Sequence, residues 1–341
     1  MFDFSKKMAF GLDLSDRSLK IIQFKKQKGE FSLSGFATQD IPSGLIQNGE
    51  IKKEKELASV LKSALAEAKK RGVTGNRVVC NLPEEKVFIR VIQLPRMKEE
   101  EIAQAIRWEV EAHIPMSINE VYMDWQVIEP IVVSSKHIDV LIAAAPRDLV
   151  DSYSSFLKRG GLHPIALEPE SVAVVRSLIK SKDHKPSVII DLGATGTNCV
   201  VFAAEAIRFT SHIRASGRLF TEAIEKDLKV SEKEANQLKI KIGLDKTKKQ
   251  GKVYRALKPI VNDLAKQISE YIDFYEENKV AQIILCGGDS LLINLPFELE
   301  SALKIPVKLG NPLEGILEKI VLPKKEILAY NTAIGLALGN Y

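Results

Sequence analysis

"VIIDLGATGTNCVVF", residues 188–202, is the stretch on which the reading turns. An apolar run stops on Asp191, passes through a Gly/Thr loop and turns apolar again. That pattern predicts a β-hairpin between two buried strands. Consecutive backbone N–H groups at such a tip surround a phosphate when small side chains leave the donors bare. Gly193 and Gly196 permit close approach, and Thr195 and Thr197 add hydroxyls. An acid just before the loop does not bind phosphate itself. It holds Mg²⁺ or its water shell, because Mg²⁺ favours one or two carboxylates together with phosphate oxygens and waters. "AFGLDLSDRSLKIIQF", residues 9–24, repeats the arrangement, with Asp13 before the turn "SDRS". Each hairpin taken alone is equally a plain turn carrying an aspartate. Their recurrence at matching places in two halves points to two opposed phosphate grips.

Working outward, strands are expected at 8–13 and 18–25, and a third in "GEFSLSGFATQDI". A helix follows with Leu57, Leu61, Ala64 and Ala68 at helical spacing and Lys69, Lys70 and Arg71 at its end. "RVVCNLP" is a short buried strand ended by Pro83. Residues 86–163 read as a compact α+β unit of their own: strand, helix, two hairpin strands, helix. The first of these helices carries Ile102, Ile106 and Val110 on one face and stops at Pro115. The polar "SKDHKP", 181–186, is a domain boundary. After it the hairpin pattern restarts. Residues 211–279 are mostly helical, and Ser231 with Glu234 forms a capping box. The chain closes on the small-residue helix "LAYNTAIGLALGNY". This echo between halves implies duplication of a mixed β-sheet domain.

A third motif is "IILCGGDSLL", 283–292, a strand passing through Gly287–Gly288 into a helix start. Glycines let the backbone approach a flat ligand, and a helix N-terminus favours anions. An ordinary strand-to-helix turn has the same look.

Composition narrows the classes. The chain has 341 residues, enough for two domains, with 45% hydrophobic and 27% charged residues and a net charge of +5. Basic and acidic residues are interspersed, and no basic–aromatic interleaving marks a nucleic-acid platform. The one dense basic run, "LDKTKKQGK" at 244–252, is either a solvated loop or a contact for anionic lipid or nucleic acid. Cys80, Cys199 and Cys286 lie far apart in apolar runs and read as packed, reduced thiols. The five histidines show no metal-ligand spacing. No segment approaches the ~20 apolar residues that span a bilayer, and the N-terminus lacks a secretion signal, so a cytoplasmic location is expected.

The three motifs, in the order hairpin, hairpin, glycine turn, resemble the actin-like, sugar kinase and heat-shock ATPase group. "GLDLSDRS" looks like its first phosphate motif, "DLGATGT" like the second and "ILCGGDSLLINL" like its adenosine motif. "EPESVAVV" at 168–175 and "AIGLALG" at 333–339 sit where its two connecting helices lie. The chain is most similar to the PilM family of type IV pilus assembly proteins, relatives of the division protein FtsA. "ASGRLFTEAIEKDLKVSEKEANQLKIKIG", 215–243, looks like their G-G…L-T…EAE-x-x-K region. It departs at Ser15, usually Gly in the family, at Asp16–Arg17, at Gly217–Arg218 and at Asn236. An acid at position 16 repels phosphate, with Arg17 beside it as an offset.

The resemblance implies an α/β, actin-like (ribonuclease H-like) two-domain ATPase fold with an inserted FtsA/PilM-type subdomain. Its expected limits are 1–85 with 164–185 (1A), 86–163 (1C, SHS2-like), 186–210 with 280–341 (2A) and 211–279 (2B). It also implies ATP and Mg²⁺ between the domains. Asp13, Ser15 and Ser18 would face the phosphates from one side, and Asp191, Gly193, Thr195 and Thr197 from the other. Gly287, Gly288 and Ser290 would lie by base and sugar, covered by Asn236 and Lys239. Asp13 and Asp191 would hold the metal, mostly through water. Asp191 and Glu168 are the candidates for positioning a hydrolytic water, with at most slow turnover expected; Glu168, before Pro169 at a bend, also reads as structural. The implied function is to bind the N-terminal cytoplasmic tail of the membrane protein PilN in a groove framed by the insert, and to couple it to the pilus motor ATPases. A polymerising FtsA-like protein and a small-molecule kinase are the alternatives.

Overall fold

The computed structural model describes residues 9–27, 29–113, 116–128, 136–179, 185–275, 279–317, 322 and 326–339. Pro115, residues 181–184 and the first eight residues, read above as a helix end, a linker and the N-terminus, lie outside that set. The chain forms two compact units, Met1–Lys180 with Asn311–Tyr341, and Ser181–Gly310.

In the first unit β1 (Phe10–Leu14) and β2 (Ser18–Gln27) form the expected antiparallel hairpin, extended by β3 (Glu30–Asp40). Every residue of β1 is buried, as in a strand covered on both faces. β4 (Ile46–Gln47) and β5 (Glu50–Ile51) make a minimal hairpin through Asn48–Gly49, whose φ angles of 50° and 73° suit an Asn-Gly turn. α1 (Glu54–Lys70) buries Leu57, Leu61, Ala64 and Ala68 on one stripe and carries acids in its first turn and lysines in its last. β6 (Arg77–Leu82) runs parallel to β1.

The insert follows. β7 (Phe88–Pro95), β8 (Val121–Ile128) and β9 (His137–Pro146) form an antiparallel sheet in the order β7-β9-β8, and α2 (Glu99–His113) lies between β7 and β8 in the chain. Ile102 and Ile106 of α2 share a core with Ile92, Leu94, Val140 and Ile142. α3 (Arg147–Arg159) does not join that core. Its Leu149, Tyr153, Phe156 and Leu157 enter the cluster built on β1, β6 and α1, and the Tyr153 hydroxyl donates to the Gly49 carbonyl at 2.7 Å. The expected 86–163 module is therefore divided: its sheet and α2 pack together, while α3 seals the first domain. β10 (His163–Pro169) then pairs parallel with β6 and leads into α4 (Glu170–Leu178), giving the order β10-β6-β1-β2-β3.

The second unit repeats this plan. β11 (Ser187–Leu192), β12 (Thr197–Ala203) and β13 (Ala206–Ile213) are antiparallel neighbours. α5 (Gly217–Leu228), α6 (Glu232–Lys241) and α7 (Lys252–Phe274) follow, then β14 (Gln282–Cys286), α8 (Leu295–Leu303) and β15 (Val307–Leu309). β14 lies parallel to β11 and β15 to β14, so the order is β15-β14-β11-β12-β13, the same as in the first unit. The echo read in the sequence is thus a repeat of strand order.

The last helix, α9 (Asn331–Ala337), is buried at all seven positions. The expected limits assign 280–341 to the second domain, but contacts divide this stretch at Gly310, and 311–341 belongs with the first unit. The reason is bare backbone. A methyl on Gly11 of β1 would lie 2.2 Å from the Ala333 carbonyl oxygen, and one on Gly335 would lie 1.8 Å from that of Ala173 in α4. Only glycine lets α9 lie this close to both.

Candidate functional site

The Gly193–Gly196 loop joins β11 to β12. The Gly193 amide donates to the Gly196 carbonyl at 2.9 Å and closes it. The first two amides of α5, Gly217 and Arg218, donate to the Gly193 and Ala194 carbonyls, each at 3.0 Å. The loop carbonyls are thereby drawn toward α5. Among the described residues the amides of Ala194, Thr195 and Gly196 have no intramolecular partner, and Ala194 and Thr195 are exposed. Successive bare donors on a turn make an anion-binding concavity. The His212 ring packs on Gly196, where a Cβ would come within 2.2 Å of its Cε1, so the loop has no room for a larger residue there.

Asp191 lies at the end of β11, paired in register with Cys286 of β14. The chain leaves β14 through Gly287 at φ 83°. A Cβ at Gly287 would lie 2.4 Å from both Asp191 Oδ1 and the Leu192 carbonyl oxygen. Glycine at this position keeps the Asp191 carboxylate beside the turn. Burial first, then the Asp191 charge, pushes the Cys286 thiol well up, and burial holds Cys199 at about 12. Burial raises Cys80 as well, so all three cysteines are the packed, protonated thiols expected.

Two residues of the expected phosphate and sugar set turn inward. Thr197 is fully buried and its hydroxyl donates to the Ala215 carbonyl at 2.6 Å. Ser290 is fully buried and its hydroxyl donates to the Gly287 carbonyl at 2.7 Å, a bond back across its own turn. Both hydroxyls satisfy backbone carbonyls of the fold. Lys239 is also buried: its ammonium bonds Asp289 Oδ1 at 2.7 Å and the Gly217 carbonyl at 3.0 Å. It pins α6 to the start of α5 and to the turn that carries Gly288. A Cβ on Gly217 would fall 1.8 Å from Asp289 Oδ2, which explains glycine at that position. Asn236, one turn before Lys239, is exposed.

In the first unit Asp13 is buried and pairs with Lys20 at 3.2 Å, directly across the β1–β2 register. Lys20 also donates to the Ser18 hydroxyl at 2.8 Å, and the Ser15 hydroxyl donates to the Ser18 carbonyl at 3.0 Å. Asp16 does not face the hairpin tip. Its carboxylate accepts the Asn48 and Gly49 amides at 2.9 and 3.0 Å, so the acid that would repel phosphate instead caps the β4–β5 turn. Lys20 was absent from the sequence reading. Its signal was the two-residue period, which puts it on the same face of β2 as Ser18.

At the C-terminal ends of the parallel strands, Asn81 accepts the Leu14 amide at 2.7 Å and donates to Glu170 Oε1 at 2.9 Å. Glu84 accepts the Ser171 amide at 3.0 Å. Glu168 is 7% exposed and held by both terminal nitrogens of Arg176, at 2.9 and 3.2 Å; Arg176 also donates to the Gly335 carbonyl at 2.9 Å. Burial raises the Glu168 carboxyl above its ordinary range, and Arg176 pulls it back in part. Glu168 is thus a clamp on the α4–α9 contact, not a carboxylate open to a hydrolytic water. Asn81 and Glu170 escaped the sequence reading because their partners lie 67 and 89 residues away. Among the described residues no three acidic, His or Cys side chains gather as a metal cage, and no helix is long and apolar enough to cross a membrane.

The family model for the type IV pilus assembly protein PilM matches residues 11–341. The cell division protein FtsA of Neisseria meningitidis is 26% identical over 239 residues, 62% of this chain and 56% of FtsA. The chain spans about half the length of the curated relatives it matches. Among solved structures, the PilM–PilN type IV pilus biogenesis complex aligns over 97% of this chain and 98% of the matched chain, at 25% identity and a TM-score of 0.83. MreB5 of Spiroplasma citri bound to ADP aligns over 97% of this chain and 95% of its own, at 13% identity and a TM-score of 0.55, a likeness of fold. The repeated strand order and the matched family converge: the chain belongs to the family of the type IV pilus assembly protein PilM and has the actin-like fold.

Proposed function

We propose that the chain is the actin-like, nucleotide-binding component of a type IV pilus assembly machine and binds the N-terminal cytoplasmic tail of PilN. The observation that carries this reading is the whole-chain likeness to the PilM–PilN complex.

The bare amides of Ala194, Thr195 and Gly196 would receive phosphate oxygens, with the Thr195 hydroxyl beside them. Gly193 and Gly287 let the two turns close tightly, on the Gly196 carbonyl and on Asp191 and Leu192, so that Gly288 and the loop backbone would meet the nucleotide, and Asn236 is exposed on α6. The fold is that of MreB5, solved with ADP. Mg²⁺, when bound, neutralises phosphate charge, and Asp191 would hold it through water. With Glu168 taken by Arg176, the useful output is occupancy, and turnover is slow. Nucleotide occupancy would then shift the population competent for the tail.

An extended tail recognised by main-chain hydrogen bonds needs a free strand edge. β9 is paired on both sides, and β8 is the edge of its sheet among the described residues, so β8 would offer that edge. Tyr122 and Val127 are exposed on β8 and would contact the tail's side chains. The partner would bring the chain to the inner membrane.

Isothermal titration with a synthetic PilN tail tests this. A dissociation constant of about 1 µM or tighter is expected, changed by ATP with Mg²⁺ and weakened by Val127→Asp. Thr195→Glu should abolish the nucleotide effect and leave the tail bound. Absence of heat with every tail encoded beside this gene overturns the partner reading.

A further inference from the structure

The basic run 244–252 plays no part in the site above, and its charges sort into two groups. Lys246 pairs with Glu298 at 3.3 Å and Lys248 with Asp245 at 3.7 Å. Lys249 and Lys252, with Arg255 one turn further on, have no ion-pair partner among the described residues. All three are exposed and line one open cleft of about 450 Å³ within the helical part of the second unit. Small-molecule sites run from roughly 300 to 1,000 Å³.

The walls of this cleft are chemically divided. Lys252 and Arg255 are three residues apart on α7 and share a face. Lys249 joins them from a turn in which Lys249 and Gln250, neither a glycine, have φ of 47° and 55°. Arg255 donates to the Gln250 carbonyl at 3.1 Å and holds that turn against the helix. Asp227, at the end of α5, and Glu234, on α6, supply acids to the lining. The Glu234 amide is capped by the Ser231 hydroxyl at 3.4 Å, as the capping box predicted, while its side chain lines the cleft. Leu228, Val230 and Leu238, each half-buried, complete it with apolar surface.

We propose that this cleft binds a phosphate monoester of a small hydroxyl-bearing molecule, at a site separate from the Gly193–Gly196 loop. The dianionic phosphate answers three unpaired cations by charge-assisted hydrogen bonds. Ionised carboxylates only accept, so Asp227 and Glu234 demand donors, which hydroxyls provide and a bare polyanion does not. The apolar lining covers the carbon skeleton.

Ribose 5-phosphate and inorganic pyrophosphate, titrated into the full chain by calorimetry, are the probes. Ribose 5-phosphate should saturate with a dissociation constant below about 1 mM and weaken as salt rises. The pair Lys252→Glu with Arg255→Glu should weaken it at least tenfold, while Thr195→Glu leaves it unchanged. Glu234→Gln should weaken the sugar phosphate and strengthen pyrophosphate, a crossed response that general loss of fold cannot produce. No saturable binding, or binding lost in Thr195→Glu and kept in the α7 variant, overturns the proposal. The latter result would place the anion in the hairpin loop and leave the nucleotide reading intact.

Discussion

Lys239 decides between two physical roles, and its neighbours allow the outcome to be worked out. Its ammonium sits 2.7 Å from Asp289 Oδ1, with side chains 10% and 19% exposed. At an effective dielectric near 20, that separation is a gross attraction of about 6 kcal/mol, most of it offset by the loss of hydration. Removing one partner of such a pair costs roughly 3–5 kcal/mol, since the other charge stays buried. Asp289 keeps some solvent, so Lys239→Met should fall near the lower end, about 3 kcal/mol. For a unit of this size that lowers the thermal midpoint by about 10 °C. Asp289→Asn leaves the buried ammonium without a counter-charge and should cost about as much. The double variant leaves no orphaned charge and should recover about 2 kcal/mol relative to additivity. Urea unfolding of all four proteins, followed by tryptophan-independent far-UV circular dichroism, measures the cycle. Additive losses, or a Lys239→Met protein of unchanged stability whose ATP affinity falls, would refute the pin and return Lys239 to the nucleotide.

Other substitutions test the frame around the site. Arg176→Met strands Glu168 in a buried setting, which raises its carboxyl further above the ordinary 4.5. A folded-state value above the unfolded one gives stability that is full below the unfolded value and is lost as pH rises through the folded one. The variant's deficit should therefore be small near about pH 4 and reach about 3 kcal/mol at about pH 7.5, by urea midpoints at each pH. Gly335→Ala drives a methyl to 1.8 Å from the Ala173 carbonyl oxygen, so α4 and α9 must separate. A loss of about 3 kcal/mol is expected, read as a lower thermal midpoint, and an unchanged midpoint would mean that α9 does not seat as described. Gly287→Val combines a left-handed φ with a clash on Asp191 and should remove measurable binding of a fluorescent ATP analogue while the tail still binds. Cys80, Cys199 and Cys286, buried and held protonated, should resist alkylation at about pH 8 until the chain is unfolded.

Much of the fold was legible because it is written in local pattern. An apolar run that ends on an acid and restarts after small residues can be little other than a buried hairpin. Two such runs foretold two sheets of one order. The helices with regular apolar spacing, α1 and α7 among them, followed from period alone. What failed was assignment of elements to cores. α3 has the apolar stripe of any packed helix, and nothing in that stripe distinguishes the insert's sheet from the cluster around Leu57 and Leu61. α9 advertises close approach through Ala333, Gly335 and Ala337 without naming the surface approached. The answer lies in Gly11 and Ala173, more than 150 residues away, where bare backbone matches bare backbone.

The site divided along the same line, and the division has a cause. A phosphate loop is a property of backbone, so Gly193, Gly196 and Gly287 could be picked out by residue type: each stands where a Cβ has no room. Hydroxyls and charges carry no such mark, because their direction is set by whichever carbonyl or counter-ion the fold brings near. Thr195 and Thr197 read alike in sequence, yet Thr195 tips the exposed loop while Thr197 is spent on the Ala215 carbonyl. Ser290 was legible in principle, since a serine three residues past a glycine turn readily bonds back to it. Glu168 was not, for its partner Arg176 lies on the following helix and is itself fixed by the Gly335 carbonyl. Residue types at a loop therefore tell where an anion can be received, and only the packed structure tells which side chains remain free to receive it.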